Sequence, residues 1–108
     1  MSCYVLIDLD LSYKNKSDEF KNKLKEFFDE FNIKLCDDDI YLDLDEYYFE
    51  LSYDDEIRLV KLLKGNVEGY LNIKPECEEL PVKYIFKGDK VYQVEYVEKL
   101  KEVCFKWI

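Results

Sequence analysis

The chain holds 108 residues, 48% of them apolar and 17% aromatic, with 16 basic side chains against 25 acidic ones and a formal charge of -9. That length supports one core, hence a single domain over residues 1–108, and the apolar content is too high for a disordered chain. Histidine is absent, which excludes imidazole metal sites, His-based triads and the commonest general base.

The N-terminal segment CYVLIDLDL alternates, with Cys3, Val5, Ile7, Leu9 and Leu11 on one side and Tyr4, Leu6, Asp8 and Asp10 on the other, which predicts a strand over residues 3–11. Asp8 interrupts it and no basic lead precedes it. No run reaches the roughly 20 apolar residues of a membrane span, so a soluble, cytoplasmic protein is expected. Cys3, Cys36, Cys77 and Cys104 form no C-x-x-C pair and are read as free, buried thiols.

Ser17 is placed to cap a first helix, with Asp18 and Glu19 in its first turn and Phe20, Leu24, Phe27, Phe28 and Phe31 repeating at helical spacing to about Phe31. Between residues 40 and 52 the pattern changes parity. Ile40, Leu42 and Leu44 share one face, whereas Tyr47, Phe49 and Leu51 fall on the opposite parity. A tight hairpin at Asp45 and Glu46 is predicted, a bulged long strand being the alternative, and Tyr47 is expected in the core. The stretch from Ser52 to Asp55 has a capping-box pattern and opens a second helix that stops at Gly65.

VEGYLNI, residues 67–73, reads as a short strand, and KPECEELP as a loop. VKYIF and VYQV flank Gly88 and Asp89 as a hairpin, and Tyr96, Val97, Leu100, Val103, Cys104 and Trp107 form the stripe of a final helix. The predicted fold class is α+β. Its first six elements follow the order of the ferredoxin-like split β-α-β fold, an antiparallel sheet with helices on one face, here extended by a C-terminal hairpin and helix.

Charge is the most informative feature. Residues 36–56, CDDDIYLDLDEYYFELSYDDE, hold ten carboxylates and no Lys or Arg; the remainder of the chain has fifteen acids against sixteen bases. The imbalance therefore belongs to one segment, which is expected to form one acidic edge able to steer a cationic partner. Alternate residues of a strand project about 6.8 Å apart on one side, close to the spacing of phosphates along a nucleic-acid strand. The candidate partner-binding residues are Asp37, Asp38, Asp39, Tyr41, Asp43, Asp45, Glu46, Tyr48, Glu50, Asp54 and Asp55. The tyrosines add rigid amphipathic contact area of the sort enriched at interfaces. DDDIYLDLDE lacks the glycine and the ligand spacing of a calcium loop, so no metal and no cofactor are expected.

In composition the chain resembles the small acidic phage inhibitors of bacterial immune systems, anti-CRISPR proteins among them, and equally the immunity proteins that neutralise nuclease toxins. The likeness implies a non-enzymatic protein that occupies the nucleic-acid-binding surface of a basic protein and binds neither nucleic acid nor membrane itself. Over residues 3–73 the element order and the strand-end Asp8 also resemble the ferredoxin-like nuclease subunits of CRISPR adaptation complexes. That resemblance implies instead a metal-dependent nuclease using Asp8 and Asp10.

Overall fold

The computed structural model describes residues 2–76, 81–94 and 100–102. Among these residues seven strands and two helices follow in the order β1 (Ser2–Tyr13), α1 (Asp18–Asp29), β2 (Cys36–Asp37), β3 (Tyr41–Ser52), α2 (Tyr53–Leu63), β4 (Val67–Pro75), β5 (Val82–Lys87), β6 (Lys90–Val94) and β7 (Leu100–Glu102). They make an α+β fold with one antiparallel sheet of strand order β2-β3-β1-β4-β5-β6-β7.

One face of the sheet is apolar. Val5, Ile7, Leu9 and Leu11 of β1 lie beside Leu42, Leu44, Phe49 and Leu51 of β3 and Val67, Leu71 and Ile73 of β4, all buried. Phe20, Leu24, Phe27 and Phe28 of α1 and Leu59, Val60 and Leu63 of α2 join the same cluster, so both helices cover this face. Each such side chain contributes roughly 1.5–3 kcal/mol on leaving water.

Local chemistry sets both helix starts. The Ser17 hydroxyl accepts the Phe20 N–H at 3.2 Å, and that of Ser52 accepts the Asp55 N–H at 3.1 Å. Asn32 ends the turn after α1 with φ 58°, and the Ile33 N–H returns to the Phe28 carbonyl at 3.0 Å. Gly65, at φ 78°, follows α2 at the predicted stop.

The parity change in residues 40–52 has a different cause from the predicted hairpin. Tyr41–Ser52 is one strand, and its register against β1 slips between the pairs Ile7–Tyr47 and Leu9–Leu44. Asp8 therefore faces both Asp45 and Glu46, a bulge that returns Phe49 and Leu51 to the side already taken by Leu42 and Leu44. The chain reverses earlier, at Asp38–Ile40. There the Asp38 carboxylate accepts the N–H groups of Ile40 and Tyr41, both at 2.7 Å, and the Asp38 N–H donates to the Tyr41 carbonyl. This aspartate turn needs no glycine. Ile40 belongs to that turn and is 50% exposed, and Tyr47, expected in the core, is 38% exposed beside the bulge.

Most of the predicted C-terminal helix lies outside the described residues. Its described part, Leu100–Glu102, is strand β7, whose backbone pairs with the free edge of β6. The side chains of the four cysteines also lie outside the described residues. Among the described residues no helix is long and apolar enough to cross a membrane.

Candidate protein-binding face of the sheet

The second face of the sheet is covered by no helix among the described residues, and strand alternation decides what it displays. From β1 come Tyr4, Leu6, Asp8 and Asp10; from β3, Tyr41, Asp43, Tyr48 and Glu50. Glu68, Tyr70, Asn72 and Lys74 follow on β4, then Lys83, Ile85 and Lys87 on β5, and Lys90 and Tyr92 on β6. Charge is thus graded across the sheet. Among the described side chains of this face, four carboxylates stand on β3 and β1 and three ammonium groups on β5 and β6, with one of each sign between them on β4.

The acidic half contains a direct confrontation. Asp43 of β3 is the cross-strand partner of Asp10 of β1, and both are exposed. Opposed side chains in an antiparallel pair have Cβ atoms about 5 Å apart, a spacing at which like charges repel. Among the described residues no ion pair reaches either carboxylate. Asp8 differs, because its carboxylate accepts the Asn72 side-chain amide at 2.8 Å.

Further along the same two strands, roughly 14 Å or more from the Asp10–Asp43 pair by register, the rings of Tyr4 and Tyr48 stack at 5.2 Å between centroids, with 16° between their planes. The Tyr48 hydroxyl donates to the Glu76 carboxylate. That bond, with some desolvation and the nearby negative charge, pushes the Tyr48 phenol up to about 12. In the basic half the Lys83 ammonium sits 4.7 Å from the centroid of the Tyr70 ring.

The ten carboxylates of residues 36–56 do not make one continuous border. Asp37, Asp38 and Asp39 sit at the β2–β3 turn. There the Tyr13 hydroxyl donates to Asp37 at 3.1 Å, Asp38 closes the turn, and Lys21 approaches Asp39 at 3.9 Å. Backbone N–H groups of Tyr41 and Ile40 hold the Asp38 carboxyl below its ordinary range, and burial with the Asp37 charge raises the Tyr13 phenol. At the opposite end of β3, Asp54, Asp55 and Glu56 form the first turn of α2. Asp55 contacts Arg58 at 3.4 Å, and Arg58 reaches across to Glu30 at 2.8 Å, tying α2 to α1. Glu56 accepts the Tyr84 hydroxyl at 2.6 Å, and burial, together with that carboxylate, raises the Tyr84 phenol.

Of the eleven residues singled out in the sequence, the structure thus gathers Tyr41, Asp43, Tyr48 and Glu50 on one face. It separates Asp37, Asp38 and Asp39 from Asp54 and Asp55. The side chains of Asp45 and Glu46 lie outside the described residues. Sequence reasoning assigned Asp8 and Asp10 to a different chemistry and missed their place beside Asp43. It also missed Tyr4, Tyr70 and the lysines of β5 and β6. Alternation along β1 carried part of that signal; the rest depends on strand order. Among the described residues no group of three carboxylate or thiol side chains is arranged to hold a metal ion.

Compared with protein families, curated proteins and solved structures, the chain matches none.

Proposed function

We propose that this is a non-catalytic binding protein whose β3–β1 half-face docks on the basic, nucleic-acid-binding surface of another protein and blocks it. The observation that carries the reading is the apposition of Asp43 and Asp10 on a face that no helix among the described residues covers, at a cross-strand spacing where their charges repel. A cationic surface relieves that repulsion, while Tyr4 and Tyr48 supply a rigid aromatic contact further along the same two strands. A phage-encoded inhibitor of a bacterial immune complex and an immunity protein against a nuclease toxin both use this mode, in the cytoplasm. A polyanionic substrate would meet the same repulsion from Asp10 and Asp43, so occupancy of a basic protein is favoured over nucleic-acid cleavage by Asp8 and Asp10.

The finer fold assignment belongs to the same proposal: the core is a ferredoxin-like unit, supported by the order β2-β3-β1-β4 and the helices that follow β1 and β3. Such a core hosts many activities and does not itself specify the function.

The test is affinity capture with the wild type and with the combined Asp10→Asn, Asp43→Asn and Glu50→Gln variant. The expected result is a nucleic-acid-binding protein that is captured by the wild type, displaced by duplex DNA or RNA, and lost with the variant. Capture of the same protein equally well by the folded variant would overturn the reading.

A further inference from the structure

The open face is bipolar, and that polarity is self-complementary in only one stacking. Neighbouring strands lie about 4.8 Å apart, so β3 and β6, four steps apart in the sheet, are separated by roughly 19 Å. The negative half is centred on Asp10 and Asp43, the positive half on Lys83, Lys87 and Lys90. Between them runs β4.

We infer that the protein forms a reversible two-fold dimer through this face, its partner being a second copy of the same chain. If the two-fold axis ran across the strands, β3 would stack on β3 and carboxylates would meet carboxylates. An axis parallel to β4 instead lays β1 over the second copy's β5 and β3 over its β6, and the same contacts recur on the other side of the axis. Asp8 then lies over Lys83, Asp10 lies over Ile85 with Lys83 and Lys87 on either side of it, and Asp43 lies over Tyr92 with Lys90 one outward position further along β6, while Tyr70 approaches its own counterpart. Strands related by this axis run in nearly the same direction, the aligned arrangement in which two sheets pack about 10 Å apart.

The size is adequate for a weak dimer. Five strands displaying two to four outward positions each, every position covering about 4.8 by 6.8 Å, give a footprint of roughly 500 Å² per copy, about 1,000 Å² in total, which is the lower end of specific interfaces. Half-exposed Tyr70, Ile85 and Tyr92 share one level across β4, β5 and β6 and provide apolar contact at its centre, with Leu6 toward one end and the charged groups arranged around them. The inference is independent of the proposed partner. A basic partner would compete with the second copy for the acidic half, yet the dimer is measurable with no partner present.

Sedimentation equilibrium of the full chain tests it, from about 5 to 500 µM, a range that brackets micromolar association. The wild type is expected to dimerise at low salt and to weaken about ten-fold or more in 0.5 M salt, as screening requires. Two charge-reversed proteins complete the test. Asp10→Lys with Asp43→Lys puts positive charge at the centre of the acidic half and cancels its negative excess, leaving Asp8 and Glu50 against two lysines, and Lys83→Glu with Lys87→Glu makes both halves negative. Each is expected to be monomeric alone, and an equimolar mixture is expected to form a heterodimer, which also shows that both variants fold. A wild type that stays monomeric over the whole range overturns the inference. So does a dimer unaffected by salt, or a mixture that fails to associate.

Discussion

The two halves of the open sheet face share one backbone geometry and one side-chain alternation, yet they handle charge in opposite ways. On β3 and β1, Asp43 is set directly across from Asp10. On β4 and β5, Lys83 lies against the ring of Tyr70, where a cation is stabilised by the π face. The net charge of -9 is consistent with a uniformly acidic surface. Strand order divides it instead into a strained negative half and a relaxed positive half.

The largest effect is expected at the seam between them. Gly69 lies in β4, beside Leu11 of β1 on one side and Phe86 of β5 on the other, at φ 127°. A Cβ at this position would run into the Asp10 carbonyl oxygen and crowd the Leu11 Cα. Because the obstacle is backbone in the middle of the sheet, Gly69→Ala is expected to cost about 3 kcal/mol or more, by strain at positive φ and by separation of β1 from β4. Thermal or urea unfolding measures it. A loss below about 1 kcal/mol would show that the close approach of the strands at this seam is dispensable.

The next effect concerns which half meets the partner. If capture depends on the acidic half, Lys83→Glu with Lys87→Glu should retain the partner bound by the wild type, whereas Asp10→Asn with Asp43→Asn should weaken it about ten-fold, near 1.4 kcal/mol. Titration of the purified partner by calorimetry distinguishes the two variants. Equal losses in both would assign the contact to the whole face.

The fold was more legible in the sequence than the site, and the reasons are physical. Ser17 and Ser52 announce their helices because capping is decided within four residues. The alternation of β1 is equally local. The turn at Asp38 was hidden because three consecutive aspartates read as charge, although one of them serves as a hydrogen-bond acceptor for the turn. Tyr47 carries an apolar ring at a core parity, but it lies next to the bulge and stays partly in water. At Leu100–Glu102 a helical spacing of apolar residues gives way to pairing with β6, a tertiary preference that periodicity does not encode. The site was least legible because Asp10 and Asp43 become neighbours only through strand order, which also separates Asp37–Asp39 from Asp54–Glu56.

A smaller effect comes from titration. Tyr48 is raised to about 12 by its bond to Glu76, above an ordinary value of 10.0. Its contribution to stability is fully present below the unfolded value of about 10 and is lost as pH rises toward 12, because the unfolded chain releases the phenol proton first. Ionisation would also add a negative charge to the half of the face that already carries Asp43 and Asp10. Glu76→Gln is expected to return the Tyr48 titration toward 10, read as phenolate absorbance near 295 nm against a Tyr48→Phe control. An unchanged titration would show that Glu76 is not the group holding the proton.

The smallest expected effect separates repulsion from attraction most directly. Asp43→Asn keeps the size of the side chain and removes one of two opposed charges, so it should stabilise the protein by a few tenths of a kcal/mol, and less in high salt than in low. Lys83→Gln removes a cation resting on Tyr70 and should destabilise by a similar amount. The signs are opposite although each substitution neutralises a single exposed group. Natural surfaces retain such uncompensated repulsion only where it is tolerated or used. Should Asp43→Asn instead destabilise in urea unfolding, the carboxylate would be making a favourable contact within the fold, and the case for Asp10 and Asp43 as groups held ready for an external cation would fail with it.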